Sequence, residues 1–158
     1  MMFLDPTSAS RETVLAAVFA ALERVPGVEL IERNRQHEVD ENVSSALLMF
    51  DGDILGETDR PEAALERHVT FPLSYVIEIQ GFIQGGEGNP GTLINGLYRR
   101  MIQALWADSD LRAFLRANGI GLKLAGGSFP DLRSKGAAKV GLFIVLIELP
   151  FEFDPLDP

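Results

Sequence analysis

The sequence predicts an α+β fold: a two-layer sandwich in which a mostly antiparallel sheet of four to five strands is packed by two main helices. Two observations carry this. Val69, Phe71, Leu73, Tyr75, Ile77 and Ile79 alternate with Thr70, Pro72, Ser74, Val76, Glu78 and Gln80, and a period of two lines one face of a sheet. After a Gly-rich break at 85–91 the period changes. Leu93, Leu97, Met101 and Leu105 form one stripe, and Ile94, Tyr98, Ile102 and Trp106 the next, which describes a helix with a broad apolar side. Asn95, Arg99, Arg100 and Gln103 then point outward. One apolar strand face and one apolar helix face bury each other, and the remaining elements extend that pair.

In chain order, residues 1–7 read as a loose arm. Ser8 or Ser10 caps a helix running to about Arg24, with Val14, Leu15, Val18, Phe19, Leu22 and Val25 on one side and alanines at 16, 17, 20 and 21. Pro26-Gly27 ends it. Val28–Asn34 reads as a first strand, residues 36–42 as an acidic loop, and Ala46–Phe50 as a second strand. Asp51-Gly52-Asp53 has turn chemistry, and 53–66 reads as a long exposed loop with a helical turn at 62–65. The third strand spans 67–83 and the main helix 91–107. Asp108-Ser109-Asp110 caps a short helix over 111–117, with Leu111, Phe114 and Leu115 inward, and Asn118-Gly119 stops it. Ile120–Leu124 reads as a fourth strand and 126–139 as a polar loop. The last strand, Val140–Phe153, is apolar on one face throughout and on the other through Leu146, turning polar at Glu148 and Glu152. That pattern predicts a central strand whose end runs out beyond the sheet. The order is α-β-β-β-α-α-β-β, in one domain over 1–158 with loose tails at 1–7 and 154–158.

Composition narrows the function classes. The chain has 158 residues and no cysteine, so disulfides, thiolate catalysis and Cys-type zinc sites are excluded. Its length lets a single domain bury most of its apolar surface without covalent staples. The formal net charge is -9, which disfavours wrapping by DNA and attraction to anionic membranes. An acidic surface suits a conduit past which DNA slides without sticking. Met1–Leu4 is followed at once by Asp5-Pro6, without the basic and apolar regions of a secretion signal. The longest apolar run, 140–149, is interrupted by Gly141 and Glu148 and is too short to span a bilayer.

Local chemistry is sparse. Gly86-Glu87-Gly88-Asn89-Pro90-Gly91 matches G-x-G-x-x-G between a strand and a helix, the context of a dinucleotide site. The preceding strand alternates, unlike a doubly buried parallel strand. A second helix follows where a strand is required, and Glu87 is a poor neighbour for a pyrophosphate. A flexible strand-to-helix connection is the better reading. His37-Glu38 with Asp40 and Glu41 lacks metal-ligand spacing. Ser128 does not sit in a nucleophile elbow, and Asp108 and Asp110 fall where helix caps belong. The expectation is a non-enzymatic protein without cofactor or metal. The few basic groups, Arg33, Arg35, Arg99, Arg100, Arg133 and Lys135, are candidates for pairing with acidic groups of a neighbouring copy. Asp53, Glu57 and Asp59 in the 53–66 loop are further candidate partner contacts.

Five segments together resemble the tail terminator (tail completion) proteins of long-tailed bacteriophages and prophages. They are an N-terminal helix leading to Glu32-Arg33-Asn34-Arg35, an apolar strand closing on Asp51-Gly52, and a long strand carrying Tyr75-Val76-Ile77-Glu78-Ile79-Gln80-Gly81. The helix from Leu93 to Ala107 and a final strand ending Ile147-Glu148-Leu149-Pro150-Phe151-Glu152-Phe153 complete the set. The resemblance covers nearly the whole chain. It implies a homohexameric ring on the end of a tail tube, assembled in the bacterial cytoplasm and carried in the virion tail. Such a ring stops tube growth and presents a joint to head-completion proteins, with DNA passing through its lumen. It implies no catalysis. A head–tail joining or minor tail protein of similar fold is the related alternative, and a small-molecule or nucleotide site at the 85–91 loop is the third. Pro150 and the tail from Asp154 to Pro158 depart from the family pattern.

Overall fold

A computed structural model describes residues 9–56, 71–85, 88–130 and 140–153. The elements are α1 (Ala9–Leu22), β1 (Leu30–Arg33), β2 (Ser45–Gly56), β3 (Phe71–Gln84), α2 (Pro90–Ala107), α3 (Ser109–Ala117), β4 (Lys123–Ser128) and β5 (Val140–Phe153). The expected order therefore holds. The strands form one five-stranded sheet in the order β1-β2-β3-β5-β4. β1 and β2 run parallel, and every other neighbouring pair is antiparallel.

The helices cover one face. α1 packs on β2, and α2 packs on β3 and β5. Both predicted periodicities meet in this layer: Tyr75, Ile77 and Ile79 of β3 are buried against Ile94, Leu97, Met101 and Leu105 of α2. Phe143, Val145, Ile147 and Leu149 of β5 extend the same core. Each such side chain is worth roughly 1.5–3 kcal/mol on full burial. α1 contributes Val14, Leu15, Val18, Ala21 and Leu22, all 1% exposed or less. Phe19, predicted inward, is only partly buried. Of the residues expected to point outward from α2, Asn95, Arg99 and Gln103 are exposed, whereas Arg100 is half-buried.

The helix ends are set by local chemistry. Asn89 caps α2 by accepting from the Gly91 N–H at 2.8 Å, and Pro90, which has no N–H to lose, takes the first turn. Asp108 both ends α2 and caps α3, accepting from the Leu111 N–H at 2.8 Å. Its carboxylate also receives Arg24 at 2.6 and 2.9 Å, tying the end of α1 to the α2–α3 corner. Gly119, at φ +66, closes α3.

Three boundaries differ from expectation. Asp51-Gly52-Asp53 does not turn the chain. β2 continues to Gly56, and a bulge between Asp51 and Ile54 absorbs the extra residues. Gly52 makes this possible, because a Cβ there would strike the Val76 carbonyl oxygen of β3. β4 starts at Lys123 rather than Ile120 and runs through Gly126-Gly127, which the sequence assigns to a loop. β5 is central, but its end is not free on the β3 side, where pairing runs on to Phe71↔Phe153. It outruns only β4, whose pairing stops at Glu148. Pro150 fits this geometry: its carbonyl accepts from Gly121 at 2.8 Å, so its missing N–H faces the side beyond the end of β4 and costs no ladder bond. The expected arm at 1–7, helical turn at 62–65 and tail at 154–158 lie outside the described residues.

Candidate functional site

The two short motifs that stood out in the sequence, Arg33-Asn34 and Asp51-Gly52, come together at the edge of the helical layer. Arg33 closes β1 and points to the helix side with its partner Met49. Its Nε and Nη2 donate to the two carboxylate oxygens of Asp51, each at 2.9 Å. Its Nη1 and Nη2 also donate to Glu12 of α1 at 2.8 and 3.0 Å. Asn34, at φ +54, turns the chain after β1 and accepts from the Asp51 N–H through Oδ1 at 2.9 Å. Its own N–H donates to the Met49 carbonyl at 2.7 Å. Arg11 of α1 donates to the Gly52 carbonyl. One side-chain cluster therefore pins α1, β1 and the bulge of β2.

The charge states follow. Arg33 is held above the ordinary guanidinium value, first by Glu12 and then by Asp51. Arg33 pulls the Glu12 carboxyl below its usual range. Burial pushes Asp51 up, but hydrogen bonding from Arg33 and Asn34 outweighs it and the net shift is downward. All three groups are therefore ionised near neutral pH. The cluster spends its charges on one another and holds no proton available for transfer. It is a structural brace.

On the opposite sheet face, just past the bulge, lies an open depression of about 300 Å³. Phe50, Leu55, Val76 and Leu146 form its apolar walls, and Asp53 and Glu78 stand at its margin. Leu55 is 50% exposed and Leu146 42%. Among the described residues, no group of three or more His, Asp or Glu side chains is placed to hold a metal ion.

The other candidate contacts scatter. Arg35 pairs with Glu32 at 2.8 Å and donates to the carbonyls of His37 and Glu38. Arg100 donates to the Pro26 carbonyl at 2.6 Å. Arg99 is exposed on α2, and Asp53 is exposed within β2 rather than in a loop. Arg133, Lys135, Glu57 and Asp59 lie outside the described residues. Sequence reasoning missed Asp51 and Glu12 as partners of Arg33. The available signal was the shared proximity of an Arg-Asn strand end and an Asp-Gly strand end.

The sheet edges complete the picture. The helical layer stops short of β4, all six residues of which are exposed. Leu124 within β4 (42%) and Phe129 just after it (46%) stand open, with Phe129 edge-on to Tyr98 at 5.3 Å. At the other end, β1 has no strand neighbour except β2 among the described residues. The class defined by fold and site is thus an α+β sandwich with a braced bulge and a sheet that is open at both ends among the described residues. No protein-family model matches the sequence, and no curated protein matches it. Among solved structures, the chain is similar to the sheath/tube terminator of an extracellular contractile injection system, PVC, in its extended state. The TM-score is 0.38 at 15% identity, over 91% of this chain and 57% of that one. The chain thus spans little more than half the length of that relative.

Proposed function

We propose that this chain is a structural assembly protein of the tail-terminator kind: it self-associates into a ring on the end of a tail tube, stops tube growth and presents the joint for the head-completion proteins. It catalyses nothing, and DNA passes through the ring without specific binding. The observation that carries this reading is the sheet left open at both ends among the described residues, with β4 bare on all six residues. An unpaired strand edge is a template for another chain. The resemblance of the Arg33-Asn34 and Asp51-Gly52 segments to tail terminators supports it, since these segments form the brace that shapes the β2–β3 extension. The net charge of -9 suits a lumen that repels DNA.

The test is light scattering and electron microscopy of the purified chain, alone and with a tail-tube protein from the same particle. Rings, or capped tubes of limited length, are expected. A strict monomer up to the solubility limit, with tubes growing unchecked in its presence, overturns the reading. Nucleotide binding at the 85–91 connection makes a separate prediction: a nucleotide-dependent rise in Tm by mass action. The Asn89 side chain already occupies the Gly91 N–H there, so no such rise is expected.

A further inference from the structure

We infer that the two open edges of this sheet pair with each other between copies, β4 of one chain against β1 of the next, in an antiparallel junction that places Ile31 beside Leu124 and Glu32 beside Lys123. The inference rests on the self-assembly proposed above and specifies how it occurs.

Strand polarity comes first. β1 and β2 run one way, β3 the other, β5 with β2, and β4 with β3. A second copy placed edge to edge with its helices on the same side therefore brings β1 antiparallel to β4. The junction continues the dominant pairing of the sheet, and antiparallel pairing is slightly the more stable per residue.

The side chains agree with one register. Ile31 shares a face with Leu47, and Leu124 with Ile147, so both lie on the helix side. Glu32 shares a face with Leu48, and Lys123 with Glu148, so both lie on the opposite side. Antiparallel pairing of Ile31 with Leu124 necessarily sets Glu32 against Lys123. One register thus joins an apolar pair on the inner face to an opposite-charge pair on the outer face. A slip by one residue would set side chains of opposite faces against each other, and a slip by two, which keeps the faces, would put Leu124 against Glu29 or Arg33. Leu124 is 42% exposed in the single chain, and this register covers it.

The edges are accessible. Gln84, on the outer face, donates to the carbonyls of Asp40 and Val43 at 2.7 and 2.8 Å. The β1–β2 connection therefore crosses over that face, where Ala46 and Leu48 are buried. It leaves the β1 edge clear among the described residues. On β4, Gly126 and Gly127 present backbone without bulky side chains, and the bulge between Leu124 and Gly126 confines regular pairing to a short segment. Because the two edges differ, the contact is head-to-tail, and successive copies close into a ring or continue as a filament. A symmetric dimer does not follow from it.

The absence of native cysteine makes the junction directly testable. Ile31→Cys/Leu124→Cys, oxidised after assembly, is expected to give a ladder of covalent multimers beyond the dimer on a denaturing gel. Each single variant gives dimer at most. Ile31→Cys/Ser128→Cys, displaced by roughly 13 Å along the strand, gives no ladder. Light scattering of the reduced double variant reports assembly independently. Assembly without a ladder, or a ladder of equal strength from the displaced pair, overturns the junction and leaves the ring reading standing. No assembly of the wild-type chain under any condition overturns both. Should the cysteine variants fail to fold, the charge pair decides. Lys123→Glu is expected to raise the concentration for half-assembly roughly tenfold, and adding Glu32→Lys is expected to restore it. A Lys123→Glu chain that assembles like wild type, or a double variant no better than the single, overturns the register.

Discussion

Asp51→Asn tests the brace that joins α1, β1 and the β2 bulge. The substitution keeps the shape of the side chain and removes its charge. Arg33 then loses one carboxylate of two and retains Glu12, which is 66% exposed and screened by water. The Arg33 and Asp51 side chains are 18% and 23% exposed, so their pair lies between two limits. Exposed pairs are worth about 0–1 kcal/mol, and breaking a fully buried pair costs about 3–5 kcal/mol. The expected loss is about 1.5–2.5 kcal/mol, or a fall in Tm of roughly 3–10 °C for a chain of this size. Urea unfolding should show a lower midpoint with an unchanged slope, because the surface exposed on unfolding is the same. Arg33→Met should cost a similar amount. Arg33→Met/Asp51→Leu should recover part of either loss, since no charge is left unpaired. A loss within 0.3 kcal/mol of zero for Asp51→Asn, or full additivity in that cycle, would refute the argument that these residues act as one unit.

Three further predictions follow from the geometry. Gly81→Ala drives a methyl group into the Phe143 ring, which is fully buried; it should cost about 1–3 kcal/mol, read by urea unfolding, and Phe143→Leu should partly rescue it. Asp108→Ala removes both the α3 cap and the Arg24 pair, for an expected loss of about 1–2 kcal/mol and a chemical-shift change at the Leu111 amide. Acid should weaken the fold through Glu12, Asp51 and Asp108, whose folded pKa values are all depressed. Their stabilisation is complete above the unfolded carboxylate range of about 3.9–4.3 and is lost as pH falls through the lower folded values. A Tm profile should therefore drop below about pH 4, and Asp51→Asn should flatten that limb; an equal acid slope in the variant would remove Asp51 from the account.

How much of this was legible in the sequence depended on where a residue's environment is set by its own neighbours. α2 and β5 were read nearly to the residue, and the end of β3 to within one, because each repeats its burial pattern over fourteen residues or more, and a period needs length to be visible; the expected start of β3 at 67–70 lies outside the described residues. The Asp51-Gly52 error has a definite cause. Asp-Gly favours a turn, but here Gly is required because the backbone of another strand, at Val76, passes too close for a Cβ. Nothing local distinguishes those two uses of glycine. β4 was displaced for the opposite reason. Ile120–Leu124 is the more strand-like run, yet Ile120 is held to the end of α3 through the Leu115 carbonyl at 2.9 Å and Gly121 to Pro150. The exposed edge of β5 then takes Gly126-Gly127, whose low strand propensity is overridden by the partner. The brace was legible only as two fragments. Glu12 carried no mark, because its role exists only once α1 lies across the ends of β1 and β2.

An open edge is a hazard because it invites pairing with any other chain, and the two edges left open among the described residues are both weak. β1 is four residues long, and β4 is glycine-rich and interrupted by a bulge. Short edges and bulges are the means by which proteins avoid indiscriminate strand pairing. A junction of three or four residue pairs is too small to hold two copies together for long, given the freedom that association removes. In a closed ring the last junction forms within the assembly, and every copy is then held at two edges, so closure raises the effective concentration of each contact. Assembly through these edges should therefore be cooperative, with monomers and complete rings populated in preference to dimers. A surface that gathers copies at one place would move that balance toward the ring without adding any contact between them.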